Sequence, residues 1–406
     1  MLADVPMVFI LLGLAAYTVL AGADFGAGFW TLVSSGGRTS AAAIRDHARH
    51  AMGPVWEANH VWLIFVLVVC WPAYPVAYAS IVSTLAVPLF IAAVGIILRG
   101  AAYALRGQLD ATRGQRAVEN VFAFSSVLTP FALGTVAGAI ASGRVPVGNA
   151  AGDLLTSWLN PTSVLIGTLA VATSSYLAAV YLAADARRLG DQALERDFRS
   201  RALWAGVVAG ALALVGLLVL RLDARPIWDG LTSGAGLVMV VVSAAAGLAT
   251  LVLVWRSQFG LARASAALAV AAIVAGWAVA QRPRFLPGLT VSQAAASRST
   301  LIAVVIAVAV GAVVLVPSLL LLFGLFLRGR LDAGVESPAP AVDVQAATGG
   351  HRPRLVGAFA LACLLVGAGL MILADAGWAH AVGIACLCAF AASAFVLATT
   401  TPEIEA

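Results

Sequence analysis

The densest run of groups able to move a proton lies between Gly53 and Leu63. There Trp56, Glu57, Asn59, His60 and Trp62 stand close together in an otherwise apolar chain. Glu57 and His60 are three residues apart, a spacing that puts carboxylate and imidazole on one helix face together with Ile64. Asn59 and Trp62 form the adjacent stripe. An acid and an imidazole so placed can pass protons near neutral pH. The same residues would also serve as an interfacial polar collar with tryptophan anchors. Asp24 is the second candidate, in the middle of the first apolar run. At 100° per residue Tyr17, Asp24 and Gly28 share one stripe, and the neighbouring glycines permit close helix approach. Asp24 could relay protons, or simply bond a neighbouring helix. Arg99, near the end of the third run, would favour the charged form of any carboxylate beside it.

Other chemistries fit less well. Glu57-x-x-His60 is half of a di-iron motif, but no second copy exists in the sequence. The G-x-G of Gly26 and Gly28 sits within a helix with no strand before it, so it is no nucleotide loop. Of five histidines, His47, His50 and His351 are expected in loops and His380 near an outer helix end. Only His60 would be embedded, so a buried bis-histidine haem site is not expected in this chain alone. No metal site is expected either. The four cysteines, Cys70, Cys363, Cys386 and Cys388, lie in apolar runs and read as buried, inert thiols.

The elements that position these groups are membrane helices. The 406 residues are 62% hydrophobic and 11% charged, and mean hydropathy is +0.98. Soluble domains carry about 25% charged residues, so this chain cannot cover itself with a wettable surface. Long apolar runs without strand alternation predict an all-α, polytopic transmembrane bundle. The runs fall near 7–33, 55–78, 80–103, 117–141, 161–184, 202–221, 231–254, 262–280, 300–327, 355–374 and 378–399, about eleven helices. Pro88, Pro130 and Pro317 are expected to interrupt three of them. The first run lacks a positive n-region and is too long for a signal peptide, so it reads as a retained helix. Residues 331–353, rich in Ala, Pro and Gly, read as a flexible cytoplasmic linker between a domain at 1–330 and a terminal hairpin at 354–406.

Every basic residue is arginine, and the distribution is lopsided. Eighteen of the 24 fall on the side of the first loop, beginning with Arg38, Arg45 and Arg49; six, including Arg144 and Arg225, fall opposite. The positive-inside rule makes the first-loop side cytoplasmic, with the N-terminus outside and the C-terminus inside. The net charge of +5 reflects these inner loops and calls for no nucleic-acid partner. In this orientation Asp24, Glu57, His60 and Arg99 converge on the cytoplasmic half of the membrane. Such a cluster suits a proton intake and equally an inward-facing gate, so an ion-coupled secondary transporter is the competing class. Transporters usually show paired broken helices in two related halves, whereas polarity here concentrates in the first three helices.

These same residues carry a family resemblance. Tyr17 to Gly28 reads Y-x-x-L-x-G-x-D-x-G-x-G, and Gly53 to Leu63 reads G-P-x-W-E-x-N-x-V-W-L, followed by Trp71-Pro72-Ala73-Tyr74-Pro75. Leu98-Arg99-Gly100 closes the third run, and Ala280 to Pro287 (AQRPRFLP) precedes the ninth. In these motifs the sequence resembles subunit II of cytochrome bd-type quinol oxidases. The resemblance implies a nine-helix core and a bacterial cell-membrane location. It further implies a haem-bearing partner, subunit I, that oxidises quinol and reduces dioxygen to water. Haems b and d and the quinol would belong to that partner, with none bound by this chain alone and a small accessory subunit possible. For this chain it implies a stabilising place beside subunit I and a proton or oxygen route; read with the polar cluster, Glu57, His60, Asp24 and Asn59 are the expected proton-transfer residues, supported by Arg99, Trp62 and Trp56. Three departures stand out: Glu57 replaces the aspartate of many relatives, Ala104 replaces a family acid, and the hairpin exceeds the family core.

Overall fold

The computed structural model describes residues 2–33, 41–52, 56–105, 112–327, 352–373 and 376–400; within these, side chains at 49–58, 103–117 and parts of the last three helices are left aside. The first helix, α1, spans Val5–Leu32 and opens on Pro6, whose missing N–H is no loss in a first turn. Helix α2, Ala41–Met52, occupies what the sequence alone presents as a loop. Its Ile44, His47 and Ala48 are buried while Asp46 faces out, a 3–4 periodicity that lays an amphipathic helix along a surface. His47 is therefore a helical, buried residue, not a loop histidine.

The next stretch corrects the expected boundaries at 78–80. Helices α3 (Trp56–Ala73), α4 (Pro75–Thr84) and α5 (Ala86–Leu105) replace two straight runs. Two prolines set the breaks. Pro75 pushes Tyr74 out of the helical region, to φ −138 and ψ 62. The ring of Pro88 would clash with the carbonyl four residues back, which is Thr84, where α4 ends. Pro88 thus opens α5 and does not interrupt it, and α4 and α5 meet at 80°. Pro130 and Pro317 do lie inside helices, α6 (Thr112–Ala141) and the later α13.

Helix α7 (Pro161–Arg188) starts on Asn160, which accepts from the Ser163 N–H at 3.0 Å. Helix α8 (Gln192–Asp223) starts on Asp191, which accepts from Ala193 and Leu194. Then follow α9 (Arg225–Leu231), α10 (Gly234–Trp255) and α11 (Phe259–Gln281). A small antiparallel hairpin, β1 (Arg284–Leu286) and β2 (Leu289–Thr290), leads through the short α12 (Val291–Ala294) to α13 (Arg298–Leu327). Helices α14 (Arg352–Leu373) and α15 (Gly377–Thr400) complete the described residues. Among the described residues, seven helices are long and apolar enough to cross a membrane, and the bent α4–α5 pair, if counted as one span, makes eight. Shorter apolar helices cover Asn59–Ala73, Val356–Leu370 and Ala381–Phe390. This is an all-α, polytopic membrane bundle.

Two compact units divide at Ser318. In the first, α7 is the central post, packed against α1, α6, α8 and α11. Its buried Leu177, Val180 and Leu182 join Phe198, Val254 and Phe259 in one apolar core. At the end away from α2, Asp223, the last residue of α8, ties α7 to the turn that follows α6. Its carboxylate accepts from Arg144 at 2.5 and 2.9 Å and from the Thr162 N–H and hydroxyl at 3.2 and 2.6 Å. The second unit pairs α14 with α15. The linker expected at 331–353 lies outside the described residues, except Arg352 and Pro353, which belong to α14.

The tightest seam is between α1 and α7, where a Cβ on Gly26 would collide with the Ser174 carbonyl. Because the obstacle is backbone, the helices must separate to admit a side chain. Gly26→Ala is therefore expected to destabilise the assembled protein by about 1–3 kcal/mol, read as a lower melting temperature in detergent. An unchanged melting temperature would contradict this seam.

Candidate functional site

Asp24 faces the interior of the bundle because α1 buries an unbroken run from Ala21 to Gly28. Small residues dominate that run, so neighbouring helices approach closely enough to surround the carboxylate. From α5, Arg99 reaches across: its Nη2 lies 2.6 Å from Asp24 Oδ1 and also donates to the Asp24 carbonyl oxygen at 3.0 Å. Both side chains are 2% exposed. Arg99 is the largest fully buried side chain among the described residues. Its Nη1 donates to the Ser126 hydroxyl on α6. The guanidinium carbon lies 4.1 Å from the Phe122 ring centre and 5.1 Å from that of Phe25. A Cβ at Gly28 would strike Ser126 and crowd Arg99 Nη1 at 3.1 Å, so glycine there makes room for the cation.

This is an ion pair inside an apolar bundle. Removing two charges from water costs several kcal/mol each unless geometry and further hydrogen bonds compensate. Here one carboxylate oxygen, one backbone carbonyl, one hydroxyl and two aromatic faces share the guanidinium. The compensation is incomplete on both partners, since Arg99 Nε is also buried without a hydrogen-bond partner among the described residues. Asp24 Oδ2 is buried with no hydrogen-bond partner among the described residues, and so are the Tyr17 hydroxyl and Asn59 Oδ1. Asn59 Nδ2 donates to the Leu20 carbonyl at 3.3 Å, which docks α3 on α1. The His60 ring centre lies 6.1 Å from that of Tyr17 and 5.8 Å from that of Phe25. His60 is within electrostatic reach of both Asp24 and Arg99.

Four of the residues singled out in the sequence thus gather at the junction of α1, α3 and α5: Asp24, Asn59, His60 and Arg99. Trp62 also belongs here, packed with Leu63 against Tyr17, Ala21 and Phe25. Glu57 and Trp56 lie in the first turn of α3, but their side chains are outside the described residues, as is that of Ala104. Ser126, Phe122 and Phe25 complete the arginine's surroundings and were not singled out. Serine and phenylalanine are ordinary residues in membrane helices, so only knowledge of where Arg99 points distinguishes them. The two histidines whose side chains are described lie on different helices. His47 Nε2 lies 3.0 Å from the Leu182 carbonyl, against Phe198, and His60 packs between α1 and α3.

The comparisons with known proteins agree with one another. Residues 2–326 match the family model described as cytochrome bd terminal oxidase subunit II. A stretch of 133 residues, 33% of the chain, is 27% identical to cytochrome bd ubiquinol oxidase subunit 2 of Bacillus subtilis (strain 168). That match spans 38% of the Bacillus protein, well under half its length. In the structure of bd oxidase from Geobacillus thermodenitrificans, one chain is 26% identical with a TM-score of 0.63, covering 80% of this chain and 98% of that one. Helices α14 and α15 lie beyond the residues matched by the family model. With four fifths of its length matched, the chain belongs to the cytochrome bd terminal oxidase subunit II family.

Proposed function

We propose that this chain is the haem-poor second subunit of a membrane quinol oxidase and that it carries protons from the cytoplasm toward a haem-bearing partner. The observation that supports this most is the half-satisfied acid: Arg99 holds one oxygen of Asp24 while the other is buried without a hydrogen-bond partner among the described residues, with Tyr17 and His60 within electrostatic reach. A carboxylate used only as a structural strut gains nothing from an oxygen left without a donor, and an unpaired buried polar group is costly. A carboxylate that must take and return a proton needs one oxygen available.

In this reading Glu57 and His60 collect protons at the start of α3, on the α2 side. Asn59 orients the groups around them, and Asp24 passes protons on. Arg99 sets the charge of Asp24, while Trp62 and Trp56 wall the entrance. In the same reading the subunit sits in a bacterial cell membrane with its N-terminus outside and its C-terminus in the cytoplasm, an orientation supported by the arginine distribution. Subunit I and its bound haems b and d supply quinol oxidation and dioxygen reduction. This chain supports that subunit and leaves room in the assembly for a small accessory subunit. The segment before α14 is read as a cytoplasmic linker, and the α14–α15 hairpin as an addition to the family core. A transporter reading would call for paired broken helices in two related halves. Among the described residues, one sharply bent pair is found, α4 with α5.

Two experiments separate conduction from architecture. In the purified complex, Glu57→Gln and His60→Ala are expected to leave the partner's haem spectrum unchanged. Quinol-driven oxygen uptake should fall by on the order of 10²-fold, the usual loss when a positioned acid or base is removed. Normal turnover in both variants would defeat the intake. Arg99→Met leaves a buried carboxylate unpaired and is expected to cost roughly 3–5 kcal/mol, seen as loss of assembled complex. Asp24→Asn combined with Arg99→Met should restore assembly yet not oxygen uptake. Full activity of that double variant would reduce the pair to a strut.

A further inference from the structure

Tyr17 carries a buried hydroxyl that the proposed route does not use. It lies near the middle of α1, seven residues before Asp24. The two therefore share one face of the helix, two turns or roughly 10 Å apart along its axis. Tyr17 is 6% exposed, and its hydroxyl is closed to solvent with no hydrogen-bond partner among the described residues. Packing accounts for the ring and not for the oxygen. The ring joins Ala21 and Phe25 against Trp62 and Leu63, contacts that a phenylalanine would make equally well. An unpaired hydroxyl in an apolar interior costs stability. Other buried tyrosines are better provided for. Tyr74 donates to the Ala3 carbonyl at 2.5 Å, and Tyr176, also without a bonded partner, has the Thr250 side chain within reach.

Around Tyr17 stand an ion pair and an imidazole. Asp24 and Arg99 both act on it electrostatically. The His60 ring on α3 is centred 6.1 Å from the Tyr17 ring and 5.8 Å from that of Phe25. It therefore lies alongside the stretch of α1 between those two residues. A phenol hydroxyl suits such a place because it accepts on a lone pair while it donates. A proton can then enter on one side as the hydroxyl's own proton leaves on the other, with the group unchanged and no ionisation of the phenol. The handover needs hydrogen-bond reach or a single intervening water. We infer that Tyr17 is the proton carrier that follows Asp24 and His60, advancing the proton along α1 away from the α2 side. The inference rests on the proton-route reading and adds the group that takes the proton onward.

Tyr17→Phe in the purified complex tests this, since it removes one oxygen and keeps the ring. The partner's haem spectrum should stay unchanged and the melting temperature should hold or rise. Quinol-driven oxygen uptake should fall by on the order of 10²-fold, as for a positioned proton carrier. Heavy water should slow the variant more than the wild type, because proton delivery then limits turnover. A tyrosine with only a packing role would leave both the uptake and the heavy-water effect as they are in the wild type, and that result overturns the proposal. Should Tyr17→Phe fail to assemble, a ring-fluorinated tyrosine in place of Tyr17 decides, since it keeps the hydroxyl and makes it more acidic. A changed uptake rate supports the carrier and an unchanged one overturns it. The intake fails separately. Normal uptake in Tyr17→Phe with slow uptake in Glu57→Gln and His60→Ala removes Tyr17 and leaves the route. The reverse pattern keeps Tyr17 as a carrier and removes the collecting role of Glu57 and His60.

Discussion

The pairing of Arg99 with Asp24 constrains everything around it. A guanidinium and a carboxylate, each 2% exposed, are tolerated within an apolar bundle only if the surroundings satisfy them better than a membrane would. α1 contributes glycine at 26 and 28 so that α7 and the Arg99–Ser126 contact can close around the acid. α6 offers a serine hydroxyl and a phenylalanine face, and α5 must end its span where the arginine can reach inward. Remove the cation and the acid has no counter-charge; widen the helix spacing and the cation loses its donors' targets. The pair is therefore both a product of the packing and a condition for it.

The same pair links structure to the proposed proton route. Arg99 fixes one oxygen of Asp24 and leaves the other buried without a hydrogen-bond partner among the described residues, with Tyr17 and His60 within electrostatic reach of the acid. At the far end Asp223 ties α8 to α7 and to the turn after α6 through Thr162 and Arg144. One end of the first unit is tied by charge, while the polar residues of α1 and α3 gather elsewhere. That asymmetry suits a one-sided intake.

Much of this was readable in the amino-acid sequence because membranes make polarity expensive. With so few ionisable residues in the apolar runs, Asp24, His60 and Arg99 drew attention without any structure, and the family motifs ran through them. Helix existence followed from run length. Helix ends did not. The break at Thr84 is set by Pro88 four residues later, a steric effect across a helical turn that hydropathy averaging blurs. Helix α2 was missed because an amphipathic interfacial helix has low mean hydropathy, and its alternation of Ile44, His47 and Ala48 with charged residues looks like a loop. Ser126, Phe122 and the role of Gly28 were hidden for another reason. Their importance lies in contact with one arginine on a different helix, and spacing along a single chain does not encode which helices meet.

The most direct test of the account is the side and rate of proton consumption. The purified complex would be sealed into liposomes of known orientation with a pH dye trapped inside, and turnover started with quinol and oxygen. The account predicts that protons are taken from the α2 side, and that the assembled Asp24→Asn, Arg99→Met double variant slows this uptake while the partner's haem spectrum stays unchanged. Uptake from the opposite side, or undiminished uptake in the double variant, would contradict it.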